Sequence, residues 1–171
     1  MLLRTDVMMR RLVIACVATI GLVACSADRN ASETQAASAT APTVAHITVH
    51  KTPTCGCCAQ WVEHVVAEGF SVTVHDHADL TPIRRRLGIP EQLASCHSAE
   101  VEGYALEGHV PASDILRLLS ERPEAIGLSV PGMPVSAPGM DVEGAEQPYA
   151  TLLFDTDTAT VFTRHDGDAS E

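Results

Sequence analysis

Aromatic side chains are scarce in this 171-residue chain, which holds 1 Trp, 2 Tyr and 3 Phe. A core must therefore rest on Val, Leu, Ile and Ala, and the hydrophobic content of 46% is enough to build one. Basic charge is also scarce: 11 basic side chains face 22 acidic ones, for a net charge of -11. That balance excludes a broad nucleic-acid surface, because phosphates would be repelled over most of the molecule. The apolar run at residues 12–24 is too short to span a bilayer comfortably. There is no internal repeat, and the length suits one ordinary domain.

The N-terminal segment has the pattern of an export leader. Arg10 and Arg11 precede the apolar run, and Leu22-Val23-Ala24-Cys25 resembles a bacterial lipobox, in which the cysteine becomes the acylated first residue of the mature chain. Residues 1–24 are thus expected to be a lipoprotein-type signal peptide and Cys25 a lipid anchor. Ser26, where Asp would resemble an inner-membrane retention signal, favours the outer membrane. Residues 25–43 are rich in Ala, Ser and Thr, bury too little surface to offset ordering entropy, and read as a flexible tether. The expected protein is exported and faces the periplasm from a membrane.

Alternating Ile47 and Val49 predict a first strand, which Thr52-Pro53-Thr54 ends. Trp61, Val62, Val65 and Val66 recur at helical spacing before a stop at Gly69. A second strand follows through Val72 and Val74, then a short helix that Gly88 and Pro90 close. Residues 97–102 and 104–107 can pair around Gly103, and residues 112–120 make a third helix through Ile115, Leu116 and Leu119. The predicted order is βαβαββα over residues 44–126, an α/β fold of thioredoxin-like type with a cysteine motif in the first strand-to-helix turn. Residues 127–165 read as a C-terminal extension made of a loop and a final hairpin, and residues 166–171 as a disordered tail.

Cys55-Gly56-Cys57-Cys58 holds a CxxC pair, Cys55 and Cys58, with a third thiol inside it. A redox pair needs two thiols, whereas a soft-metal cluster uses three or more. Cys96 and His97 start the third predicted strand, where this topology returns the chain to the CxxC turn. Thiolates can bridge several monovalent copper ions, and imidazole or thioether can complete their coordination. His109, Met133 and Met140 are therefore further candidates. Both methionines lie in Pro-Gly-Met turns that echo each other.

Alternatives stand beside this reading. The four nonlipid cysteines can form structural disulfides in an oxidising compartment, and zinc accepts four cysteines, although adjacent ones suit a single tetrahedral centre poorly. The methionines can be packing residues. His46, His50 and His64 read as ordinary strand and helix residues. His75-Asp76-His77 can bind surface metal but also reads as a solvated strand end.

The motifs KTPTCGCC at 51–58, LASCH at 93–97, EGHVP at 107–111 and PGMPVSAPGM at 131–140 occur in register. With them the chain resembles the CxCC family of bacterial metal-binding proteins typified by CopG-like copper-resistance proteins. The resemblance spans residues 45–164. It implies a thioredoxin-like domain with a tail extension, binding more than one copper ion and cycling Cu(I) and Cu(II) in periplasmic copper detoxification. By position it puts copper on Cys55, Cys57, Cys58 and Cys96, with His97, His109, Met133 and Met140 in support. The expected protein is a monomer whose partners are copper ions and a periplasmic copper efflux system. A thiol–disulfide oxidoreductase, with Cys55 or Cys58 attacking, and a passive copper carrier are the rival functions.

Overall fold

A computed structural model describes residues 45–140, 142 and 146–166. The expected leader, Cys25, the tether and all but the first residue of the expected tail lie outside the described residues. The elements are β1 (His46–Lys51), α1 (Gly56–Ala67), β2 (Ser71–Asp76), α2 (Thr81–Leu87), β3 (His97–Val101), β4 (Tyr104–Glu107), α3 (Ala112–Glu121), β5 (Gly127–Ser129), β6 (Tyr149–Phe154) and β7 (Ala159–His165). A single 3-10 turn, Glu91–Leu93, follows α2. The fold is α/β, and the order through α3 is the expected βαβαββα. Among the described residues no helix is long and apolar enough to cross a membrane.

All seven strands join one sheet in the order β2-β1-β3-β4-β5-β6-β7. The β1/β2 and β4/β5 pairs are parallel and the rest antiparallel. The extension is thus more than a loop and a hairpin. It opens with β5, whose three residues carry too little periodicity to be read beforehand, and the hairpin β6–β7 continues the same sheet. At Gly127 a Cβ would lie 1.8 Å from the Ala105 carbonyl oxygen, so only glycine lets β5 approach β4.

Strand alternation divides the sheet into two faces. Ile47, Val49, Ala99, Val101, Leu106 and Leu128 form the main core with Trp61 and Val65 of α1 and Ile115 and Leu118 of α3. The spacing of Cys58, Trp61 and Val65 keeps one stripe of α1 buried. Gly69, at φ 93, ends that helix while the Gly69 and Phe70 N–H groups return to the carbonyls of Val66 and Val65. The opposite face carries α2 and a smaller cluster of Ile89, Leu93, Ala105 and Phe154. Asp114 on α3 ties down the hairpin, accepting bonds from Thr151 Oγ1 at 2.5 Å, Thr163 Oγ1 at 2.7 Å and His165 Nε2 at 2.9 Å.

Candidate metal centre

The turn after β1 is closed by a bond from the Cys55 N–H to the Thr52 carbonyl at 3.1 Å. Cys55 then caps α1 in an extended conformation, with no side-chain cap of its own. Cys57 and Cys58 fall in the first helical turn, where the sequence placed them. Cys55 and Cys58 are joined as a disulfide, with Cα atoms 5.4 Å apart. Cys57 and Cys96 are free thiols. Cys57 Sγ lies 3.6 Å from Cys55 Sγ, and Cys58 Sγ lies 3.8 Å from the Cys96 carbonyl oxygen.

Antiparallel pairing of β1 with β3 sets Lys51 opposite His97, which returns Cys96 to the β1–α1 turn. The four sulfurs of Cys55, Cys57, Cys58 and Cys96 all lie within 4.8 Å of one another. A second group, Cys96, His97 and His109, meets the same limit and shares Cys96 with the first. Six of the eight expected ligands therefore converge. Met133 is 56% exposed, and Met140 is half-buried against the main core.

The hydrogen bonds define the protons around Cys96. His109 Nδ1 lies 2.7 Å from the Pro138 carbonyl, which can only accept, so Nδ1 carries the proton and Nε2 presents a lone pair. That lone pair faces Cys96 Sγ at 3.0 Å and receives the thiol proton. His97 Nδ1, 3.4 Å from the same sulfur, then donates to it, because the single S–H is already committed. His97 Nε2 is buried with no hydrogen-bond partner among the described residues. Its ring contacts Trp61, tilted with centroids 4.4 Å apart, and His109, edge-on at 5.1 Å.

Burial, with Cys57 close by, pushes the Cys96 thiol up to about 12. Burial, then His109 and Arg84, hold His97 well below the ordinary imidazole range, so it stays neutral. The group is thus a protonated thiol beside a neutral His97 imidazole, facing the His109 Nε2. A metal ion that displaced the thiol proton would find the Cys96 thiolate and the His109 Nε2 lone pair held in place, with the His97 lone pair on its Nε2. The partnerless buried nitrogen and the sulfur-rich donor set fit a soft or borderline ion.

Residues not among the expected ligands hold Cys96 in position, Glu107 and Ser95 from the motifs and Arg84 and Ser98 from outside them. Buried Glu107 accepts the Ser95 N–H at 2.6 Å, the Ser98 hydroxyl at 2.5 Å and Arg84 Nε at 2.9 Å. Arg84 also donates to the Ser95 carbonyl at 2.5 Å. Burial raises Glu107 above the ordinary carboxylate value, against the pull of these donors. The N–H and the carbonyl of Ser95, the residue before Cys96, are thereby both fixed from the α2 side. No residue-type pattern announces this, since Glu107 in an alternating strand reads as solvent-facing.

The sheet and the sulfur cluster define an α/β protein with a candidate soft-metal centre at a strand-to-helix turn. Residues 93–140 match the family described as a protein of unknown function, DUF411. No curated protein sequence matches the chain. Two solved structures, forms 1 and 2 of copper resistance protein CopG, are 41% identical to it, with TM-scores of 0.68 and 0.67. Each alignment covers 71% of this chain and 98% of the CopG chain. The chain belongs to the CopG family of copper resistance proteins.

Proposed function

We propose that this protein binds copper through the thiolates of Cys55, Cys57, Cys58 and Cys96, with His97 and His109 completing the site, and acts in copper resistance. The convergence of four sulfurs within 4.8 Å, adjoining a Cys–His–His group through Cys96, carries this reading. Thiolates favour Cu(I) and bridge ions readily, so the site takes more than one. Likeness to the CopG structures supports copper over zinc. The lipobox and leader support an exported, lipid-anchored protein facing the periplasm, with Cys25 as the anchor and the outer membrane its place. An efflux system is the partner that would remove its copper.

The Cys55–Cys58 bridge gives the site two states. Two Cu(II) ions can each take one electron from the reduced pair, yielding two Cu(I), the disulfide and two protons. In the bridged state Cys57, Cys96, His97 and His109 remain as donors; reduction of the bridge restores two more thiolates.

The test is anaerobic Cu(I) loading of the reduced protein, with bound metal counted in wild type and in Cys57→Ser. More than one copper in wild type, and fewer in the variant, is expected. Binding of at most one ion, unchanged by the substitution, sinks the cluster. The same disulfide supports a second reading, thiol–disulfide exchange with protein substrates. Turnover of a protein disulfide that persists in Cys57→Ser and Cys96→Ser would favour it, while metal binding without redox turnover would leave a passive carrier.

A further inference from the structure

His75 lies in β2 and His77 one residue beyond its end, where the His77 N–H still bonds the Lys51 carbonyl at 2.8 Å, so the two side chains fall on one side. The parallel register sets His75 opposite His50 of β1. Three imidazoles therefore meet: His50 stacks on His75 with centroids 5.6 Å apart and lies 5.1 Å from His77. His50 Nδ1 is 3.0 Å from His77 Nε2.

The other nitrogen of His50 explains which way the first one faces. His50 Nε2 lies 3.2 Å from Glu100 Oε1, which can only accept, and 3.4 Å from Arg86 Nη2, which can only donate; the shorter contact to the carboxylate puts the proton on Nε2. Nδ1 is then a lone pair aimed at His77. Glu100 is itself gripped by Arg86, at 2.7 Å to Oε1 and 3.0 Å to Oε2, which offsets the charge of that guanidinium beside the imidazoles. A carboxylate behind a histidine, fixing its tautomer and direction, is the usual support of a metal ligand.

In this arrangement His77 Nε2–H fills the His50 lone pair. Moving the His77 proton to Nδ1 leaves two lone pairs facing one gap. Nitrogens 3.0 Å apart, each about 2 Å from an ion, subtend about a right angle there. That suits two adjacent positions of a tetragonal centre, the geometry of Cu(II) with nitrogen donors. Asp76 is taken up by Lys51 at 3.0 Å.

We propose that His50 and His77, oriented by Glu100, form a second metal site, all-imidazole in its protein ligands, for a borderline divalent ion with Cu(II) preferred. Ser98 pairs with His50 and His97 with Lys51, so the site sits at the same end of the sheet as the sulfur cluster but on the α2 face. It stands whether or not the sulfurs hold copper.

The experiment titrates Cu(II) into protein whose free thiols have been carbamidomethylated, so that sulfur neither binds nor reduces the ion. Wild type is expected to bind one Cu(II) with a tetragonal electron paramagnetic resonance spectrum showing coupling to two imidazole nitrogens. His77→Gln should lose one nitrogen coupling and weaken binding at least about tenfold, and Glu100→Gln about 10- to 100-fold. His46→Gln, which alters a histidine bonded to Ser71 instead, should change neither. Circular dichroism verifies that His77→Gln is folded. Unchanged affinity and coupling in folded His77→Gln, or no stoichiometric Cu(II) binding by wild type, overturns the proposal.

Discussion

The two Pro-Gly-Met turns allow a paired substitution that separates backbone strain from seating of the tail. Gly132 and Gly139 both have left-handed backbones, at φ 72 and 80. A Cβ on Gly132 meets nothing within 4 Å, whereas one on Gly139 would lie 2.5 Å from Trp61 N and 2.9 Å from Trp61 Cα. Both contacts are helix backbone and cannot step aside. Gly132→Ala should cost only the left-handed conformation, about 1–2 kcal/mol. Gly139→Ala adds overpacking against α1 of about 1–3 kcal/mol, which lifting of the 137–140 turn from the helix relieves only in part. Lifting that turn removes the Pro138 carbonyl from His109 Nδ1, and with it the bond that turns Nε2 toward Cys96.

Urea denaturation of the two variants measures the stability difference, and competition with a chromogenic Cu(I) chelator measures the site. Gly139→Ala should be the less stable by about 1–3 kcal/mol. Its copper affinity should fall about 10- to 100-fold, the usual effect of losing a ligand's hydrogen-bond partner, while Gly132→Ala keeps wild-type affinity. Equal stability of the two variants would refute the seating of the tail on α1. A destabilised Gly139→Ala with unchanged copper affinity would refute His109 as a ligand oriented by Pro138.

Two further substitutions probe the scaffold. Glu107→Gln leaves Arg84 without its carboxylate and weakens the hold on Ser95; breaking such a pair costs about 3–5 kcal/mol, and the 20% exposure of Arg84 places the loss at the low end. A loss below about 1 kcal/mol by urea denaturation would show the pair to be dispensable to the fold. In the β6–β7 turn, backbone N–H groups of Asp157 and Thr158 hold Asp155 below the ordinary carboxylate value of 3.8. A depressed carboxylate stabilises the fold above that pH, and the contribution is lost as pH falls through the folded value. Asp155→Asn should therefore lower the melting temperature at pH 7 and converge on wild type in acid; a deficit that is constant with pH would exclude the charge as its cause.

Much of the fold was legible because it follows from short-range periodicity. Ile47 and Val49 alternate, Trp61, Val62, Val65 and Val66 keep helical spacing, and the cysteine motif marks the turn between them. β5 was not legible: its reason is the close parallel approach at Gly127, a tertiary fact. Tyr104–Glu107 reads as a hairpin strand, and the structure buries all four residues, because α2 and the 3-10 turn cover the second face. The candidate sulfur ligands and His97 could be found by residue type and position. The support from Pro138 is a carbonyl that any residue could supply, and Arg84 reads only as one of three arginines on a helix. His50 looked ordinary, and His75-Asp76-His77 read as a surface metal site or a solvated strand end; His50 and His77 meet because β1 and β2 pair in a register that no local pattern declares.

The two halves of the sulfur site differ in what can change them. On the β3 side, Cys96, His97 and His109 are held by backbone pairing to β1, by the Glu107 and Arg84 bonds around Ser95, and by Pro138 behind His109. On the α1 side, the first helical turn carries three sulfurs of which two are covalently joined. In the proposed copper chemistry, making or breaking that bond alters the number of thiolates without requiring the β3-side donors to move. Interiors resist small displacements because they are close-packed, so a centre that must gain and lose copper is better served by changing ligand number at a helix end than by shifting ligands in a core. The residue to test this on is Cys57, which shares the helical turn but not the disulfide: it should bind copper in both states, whereas Cys55 and Cys58 contribute only after reduction.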